Sequence, residues 1–294
     1  MLRYAAPMAV THETTPFRSS ALRPGPTALV IEAIRESWSR RRLIRYLVQA
    51  DLKKKGADTL LGNLWWILDP LLQMLVYVVL VLVIFQRQIE DYPLFIFAAI
   101  LPWKWFTSSV GDAIVSVTSQ ERLIKQIHFP KIVLPFASTV AGLVNFGFGL
   151  IGLAGLLVIL FAHRISPTLL LIPVVAAVQF VFTLGVTFLV AATNVFYRDL
   201  GNVSRHVLRL WFYLSPALYS IDQIGHISSQ APILGTLFGL NPFTVLFEAY
   251  RSIIYAGTTP AWSQLGVLTL VSIILLAVAT WLFKRVEPAF AKIL

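Results

Sequence analysis

Apolar residues fall in runs long enough to cross a hydrocarbon layer, which takes about 20 residues, and short polar segments separate them. Six spans are predicted, at about 64–85, 93–117, 132–162, 168–196, 207–221 and 265–283. The third holds 31 residues without a charge, so it must tilt, bend or project. The fifth is short and carries Pro216. Ahead of the first span the pattern changes. Leu29, Val30, Ala33 and Ile34, then Leu43, Ile44, Leu47 and Val48, recur at spacings of three and four, which predicts a helix from Thr27 to about Gly62. Arg40, Arg41, Arg42 and Arg45 occupy its other face, so residues 28–62 read as a basic amphipathic helix in the membrane surface. The solvated face of a soluble helix is the alternative. Residues 1–27, with Pro7, Pro16, Pro24, Pro26 and scattered Ser and Thr, read as a disordered cytoplasmic tail.

The stretch from Asp51 to Phe85 sets the direction of entry. Lys53, Lys54 and Lys55 are followed by Trp65-Trp66 and then by an uncharged run from Gln73 to Phe85. Lysines, interfacial aromatics and hydrocarbon-soluble residues in that order describe a chain passing from cytoplasm into a bilayer. With six crossings, 20 Lys and Arg lie inside, against Arg87, Arg164 and Arg251 outside and Lys104 within a span. Omitting the fifth crossing would move Lys284, Arg285 and Lys292 outside, against the positive-inside bias. Both termini are therefore expected in the cytoplasm, and residues 63–294 form the six-span domain. Residues 222–262 are too apolar for an ordinary loop. Gly235, Gly239 and Asn241-Pro242 break them into pieces shorter than a span, which predicts re-entrant or interfacial helices on the outer side.

Composition agrees with a polytopic all-α membrane protein. The 294 residues are 57% hydrophobic and 13% charged, whereas soluble domains carry roughly 25% charge. The net charge of +10 clusters beside apolar spans, which fits topology and anionic lipid rather than nucleic acid. Cysteine is absent, excluding disulfides and thiolate metal sites. No apolar run precedes residue 64, so no cleaved signal peptide is expected.

No soluble catalytic constellation is present. None of the eight lysines follows a GxxxxG pattern, so no P-loop cradles a nucleotide. HExxH and CxxC are missing, and the five histidines are scattered, so neither a catalytic centre nor a metal site is expected. If transport is energised, the ATPase is another chain. The loop from Glu121 to Lys131 is the most informative cytoplasmic segment. Leu123, Ile124 and Ile127 share one face of a short helix, Arg122, Lys125 and Gln126 point elsewhere, and Pro130 stops it. Such a helix, marginal alone, suits a ridge docking in a partner's groove or a helix lying on lipid.

In order, DLKKKGADTLLGNLWWILDPLL, LPWKWF, RLIKQIHFPKIVLP, FYRDL, LSPALYS, NPF and YRSIIYAG resemble the permeases of type-2 ABC exporters over about residues 40–290. The branch exporting O-antigen, teichoic acid and related polysaccharides is the nearest in pattern. The resemblance implies a homodimer of six-span subunits served by two copies of a separate ABC ATPase, with ATP and Mg on that partner. It implies a coupling helix within 119–130, carried by Glu121, Arg122, Leu123, Ile124, Lys125, Ile127, His128 and Phe129. It also implies that 222–262 are the outer re-entrant helices closing the channel. KKKGADT departs from the aromatic and basic pattern of many relatives.

Lys104 and Asp112 lie eight residues apart on roughly one face of the second span, and ionisable groups at that depth need water or a partner. Trp103, Lys104, Trp105 and Phe106 fit either a channel lining that offers flat faces to sugar rings, or an interfacial belt with Lys104 snorkelling outward. Asp69, next to Pro70, reads as a carboxylate near a helix start. Arg198-Asp199 reads as a local ion pair, and Glu248 with Arg251 as an i, i+3 pair. Gly142, Gly147, Gly149, Gly152 and Gly155 read as helix packing.

The expected function is the membrane subunit of an ATP-driven exporter in a bacterial plasma membrane, moving a lipid-(pyrophosphate-)linked polysaccharide of O-antigen, teichoic acid or cell-wall galactan type. Arg40, Arg41, Arg42, Lys53, Lys54 and Lys55 are expected to meet its lipid pyrophosphate. Alternatives are export of lipid or drug-like molecules, an ion-coupled carrier using Asp69, Asp112 and Lys104, and a membrane-embedded lipid- or glycan-modifying enzyme.

Overall fold

A computed structural model describes residues 25–56, 59–86, 89–127, 129–219 and 232–294. Helices and turns make up the described residues, with no strand. The N-terminal region is two helices, α1 (Pro26–Ser39) and α2 (Arg41–Gly56), where one was expected. The break is local chemistry: Ser39 Oγ donates to the Glu36 carbonyl at 2.8 Å, and Arg40 leaves helical geometry at φ −97° and ψ 19°. Each half then finds its own support. Ala33 of α1 joins a cluster with residues of the last helix, while Ile44 and Val48 of α2 pack on Val133, Ala137 and Ala141.

Helix α3 (Trp65–Val78) runs into a π-helical stretch, Val79–Ile84, where Phe85 N–H reaches the Leu80 carbonyl five residues back. The α3 helix begins early enough to put Pro70 in its interior, so Asp69 is not at a helix start. Next come α4 (Tyr92–Ser116), the short α5 (Glu121–Gln126), α6 (Val133–Leu160) and α7 (Ile172–Phe196). They are followed by α8 (Leu200–Leu214), α9 (Pro232–Leu240), α10 (Pro242–Ile254) and α11 (Trp262–Ile293).

Five stretches among the described residues are long and apolar enough to cross a membrane: Gly62–Ile84, Tyr92–Ser116, Val133–Leu160, Pro167–Phe196 and Trp262–Ile293. The expected fifth span, 207–221, is not among them. Helix α8 starts seven residues earlier, includes Arg205, His206 and Arg209, and ends before Ser215-Pro216. Its 15 residues reach about 22 Å, short of a hydrocarbon core of about 30 Å. Residues 220–231 lie outside the described residues, so only the second part of the expected outer region is seen. There Asn241 separates two short helices, its Oδ1 accepting from Phe243 N–H at 3.0 Å. Gly235 and Gly239 lie inside α9 rather than breaking it.

Burial orders the bundle. The most apolar window of α4 is 78% buried and that of Gly62–Ile84 only 11%, so α4 is the central helix and α3 a face. Close approach needs small residues at two crossings. A Cβ on Gly142 would sit 2.1 Å from Ser109 Oγ of α4, and one on Gly185 would sit 3.1 Å from the backbone nitrogen of Leu276 on α11. Gly147 and Gly155 face open space, so only part of the glycine series serves packing inside the chain.

Arg251 holds the far end of the bundle together. It is 3% exposed. Its guanidinium donates to the carbonyls of Pro216 and Ala217 at 2.6 Å each, pairs with Glu248 at 3.2 Å, and stacks 3.7 Å over Phe95 of α4. One side chain thus ties the turn after α8 to α4 and α10. On the same end Arg164 Nε donates to Asp91 Oδ2 at 2.8 Å, His163 Nε2 lies 2.9 Å from the same oxygen, and Tyr255 Oη donates to the Glu90 carbonyl.

Replacing Arg251 by Met removes these bonds and is expected to destabilise the purified protein by about 3–5 kcal/mol, the scale for breaking a buried ionic network. Arg251→Lys should recover only part, because one ammonium cannot span the planar set of acceptors. Denaturant unfolding in detergent measures this, and a loss below about 1 kcal/mol contradicts it. Burial alone would raise the Asp91 carboxyl, but Arg164 and His163 outweigh it and hold it below its ordinary value. Its contribution is present above the unfolded value of about 3.9 and is lost as pH falls through the lower folded value. Melting temperature followed into acid should fall more steeply below about pH 4 for wild type than for Asp91→Asn.

Candidate functional site

Helix α5 forms where the sequence predicts it, but its apolar face turns inward. Ile124 is 5% exposed in a cluster with Val117, Phe129, Ile132, Phe283 and Phe290, and Leu123 packs against the same cluster. Phe129 is buried too. Ile127 alone of the expected trio is open, at 54%. Lys125 bonds Glu121 and the Leu294 carbonyl, both at 2.7 Å, tying α5 to the end of α11. The Lys125 ammonium holds the Glu121 carboxyl below its ordinary value. Arg122, Lys125, Gln126 and Ile127 are left exposed, with Leu123 and Ile124 packed beneath them. His128 lies outside the described residues.

The basic residues divide in the same way. Arg40, Arg41, Arg42, Lys53 and Lys54 are exposed. Lys55 is not free to meet a head group, since it lies 2.6 Å from Asp112 of α4 and 3.1 Å from Asp51. Burial would lower the Lys55 pKa, but the two carboxylates more than reverse this and raise it.

Four consecutive residues of a helix point in different directions, and LPWKWF shows the consequence. Lys104 pairs with Asp69 of α3 and faces a cleft of about 440 Å³ between α2, α3, α4 and α6, also lined by Trp66 and Trp105. Trp103 turns the other way, its ring edge-on to Phe243 at 4.7 Å. Phe106 is fully enclosed among Phe182, Trp211 and Phe243. The four therefore do not share one channel surface within the chain. Their aromatic rings fill the core, because α4 is surrounded by other helices. Lys104 and Asp112 do face the same way, yet each pairs with a different helix.

A second cleft, about 740 Å³, opens between α3, α4 and α8. Arg198, Arg205 and Arg209 line it with Asn202, and Tyr77, Trp103 and Phe212 form its aromatic part. Arg198 makes no ion pair with Asp199. From the sequence, Arg205 and Arg209 counted only toward topology, and Arg198 toward topology and a pair with Asp199. The signal was present in the spacing: Gly201, Arg205, Leu208, Arg209 and Phe212 follow at i, i+4, i+7, i+8 and i+11, one helical face. Among the described residues no group of three or more His, Asp or Glu could hold a metal ion.

A family model described as "ABC-2 type transporter" matches residues 42–255. The chain belongs to the ABC-2 type transporter family. It is 36% identical over 265 residues to the O-antigen export system permease protein RfbA of Myxococcus xanthus, covering 90% of this chain and 99% of that protein. It is 29% identical over 255 residues to a protein of the same description from Klebsiella pneumoniae, covering 86% and 95%. As an ABC-2 type permease it is a multi-pass membrane protein, and the match spans α5, both clefts and the Arg251 network. Helices α1 and α11 lie outside the matched segment. They meet through Lys284, which lies 2.7 Å from Glu36 and 3.1 Å from Glu287.

The pairing of α2 with α4 yields a test of its own. Asp112→Leu leaves Lys55 half-buried without its closest partner and is expected to cost about 1–2 kcal/mol. Lys55→Met with Asp112→Leu should return most of that loss, since two apolar groups need no counter-charge. Unfolding of the single and double variants measures the coupling. Strictly additive losses contradict it.

Proposed function

We propose that this chain is the membrane subunit of an ATP-driven exporter that carries an O-antigen-type, lipid-linked polysaccharide across a bacterial plasma membrane. The observation that carries this reading is the 36% identity to the Myxococcus xanthus O-antigen export permease across 99% of that protein's length. Two copies of the chain work with two ABC ATPase subunits, which supply ATP and Mg. Helix α8 and the turn after it make the sixth crossing, which returns both termini to the cytoplasm. The α9–α10 pair, anchored by Arg251, closes the outer end.

Exposure supports the division of labour. Leu72, Leu75, Val76, Val79 and Val83 of α3 and its π-helical extension are exposed, as are Val203, Val207, Leu210 and Leu214 on α8. These apolar faces suit a second copy and surrounding lipid. Helix α5 receives the ATPase through Arg122 and Ile127, and its bond to Leu294 passes movement into α11. Arg40, Arg41, Arg42, Lys53 and Lys54 gather anionic lipid at the surface. An ion-coupled carrier has less support, because Asp69 and Asp112 are each engaged by a lysine.

In a strain lacking the chain, lipid-linked glycan should accumulate inside and be missing from the surface, and the wild-type gene should restore it. Arg122→Glu with Ile127→Asp should leave the permease inserted while reducing ATPase co-purification and surface glycan together. Unchanged surface glycan in the deletion strain contradicts the substrate, and normal ATPase recovery with the double variant contradicts the docking face.

A further inference from the structure

Helix α1 is fastened to the bundle over a short part of its length. Ala33 is its one buried residue, and Glu36 meets Lys284 of α11 at 2.7 Å. Beside those contacts its apolar side does not close. Ile34 and Trp38 are 65% and 74% exposed, yet both line a trough of about 540 Å³ walled by α2, α6, α7 and α11. A second trough of about 490 Å³ continues between α1 and α11, and Val30 and Ala277 belong to both. The two make one apolar path along α1.

That path is charged in one place. Arg41 and Arg45, four residues apart on one face of α2, line the first trough and are absent from the second. Their neighbours Arg40 and Arg42 line neither, and no acidic residue lines either trough. An occupant that suits the whole path has an anionic head and an apolar tail. Water would leave the apolar walls hydrated, against the hydrophobic effect. Residues 1–24 carry three Arg and one Glu, so they would bring like charge to Arg41 and Arg45. A multi-pass membrane protein is surrounded by molecules that meet both demands, and Ile273 and Ile274 of α11 are exposed beside the trough.

We propose that the trough between α1, α2 and α11 holds one anionic phospholipid of the surrounding membrane, its phosphate on Arg41 and Arg45 and an acyl chain beside Ile34 and Ala277. Guanidinium groups match phosphate oxygens in pairs, and the acyl chain covers the apolar surface that α1 leaves open. The lipid thereby completes the seam between the two N-terminal helices and the bundle. Diffuse attraction of anionic lipid to a basic surface depends on net charge alone. A seated lipid depends on which arginines line the trough. The site requires only that the chain lies in a membrane, and it stands apart from the exporter reading.

The test uses the full chain in phosphatidylcholine nanodiscs, with phosphatidylglycerol or phosphatidylcholine brominated on the acyl chain as the probe. Bromine quenches tryptophans that it touches, and the emission lost in Trp38→Phe isolates Trp38 among the eight tryptophans. Brominated phosphatidylglycerol should quench Trp38 at a lipid fraction at least about fivefold lower than brominated phosphatidylcholine. Arg41→Gln with Arg45→Gln should remove that difference. Arg40→Gln with Arg42→Gln takes the same charge from outside the trough and should keep it. Ala277→Phe fills the junction of the troughs with the arginines intact, and should weaken quenching by both lipids. Equal quenching of wild type by the two lipids overturns the site, as does a preference that survives in the 41/45 variant. Equal loss in the 40/42 variant assigns the preference to diffuse surface charge and also overturns it. Unchanged quenching in Ala277→Phe removes the acyl chain from the trough. If either lipid reaches Trp38 only after residues 1–24 are deleted, that segment is the occupant and the proposal falls.

Discussion

An ionisable side chain among apolar helices must meet a counter-charge or a set of backbone carbonyls, and the bundle is arranged around three such demands. Lys104 and Asp112 on the buried α4 are met by Asp69 of α3 and Lys55 of α2. Arg251 is met by Glu248 and the carbonyls of the turn after α8. Desolvation consumes much of the Coulomb energy of such pairs, so their net contribution to stability is modest. Their effect is on arrangement. Each decides which element lies beside α4, where hydrophobic burial alone discriminates poorly between equally apolar helices.

The arginines of α8 are the complement of that rule. Arg205 and Arg209 are exposed at a cleft with no acidic residue in its wall, where water can meet their charge without a carboxylate. Helix α5 lies at the same end, attached through Lys125 to the terminus of α11. Helix α11 packs along α7 and holds α1 through Lys284. In the exporter proposed above, a push on α5 would reach packed helices on one side of α4, while α3, which buries little of its surface, lies on another. Nucleotide-driven movement of one group of helices against α3 and α8 would change the width of the cleft.

Much of the fold was legible in the sequence because crossing a bilayer imposes a length and a composition. The first four spans appear near their expected limits, the last lies inside a longer helix, Trp262–Ile293, and α5 forms over Glu121–Gln126 but ends before Ile127 rather than at Pro130. What escaped was decided by tertiary contact. Periodicity alone did not reveal that Ser39 would interrupt the N-terminal helix. Nor did it reveal that Ile124 would turn into the chain's own core, because an apolar face reads the same toward a partner or toward itself. Lys104 and Asp112 were expected to need water or a partner, and the partners lie 35 and 57 positions away in the chain, where periodicity does not reach. The site fared less well. LPWKWF drew attention by composition, and most of its rings proved to be core. The α8 arginines were counted as topology when their helical spacing already placed them on one face with Phe212.

The most direct measurement is transport of a purified lipid-linked glycan into vesicles containing the chain together with its ATPase. If the chain is the membrane half of an ATP-driven exporter, glycan becomes protected from external glycosidase only when ATP is hydrolysed, and an ion gradient has no effect. Protection driven by a proton or sodium gradient without ATP would contradict the account.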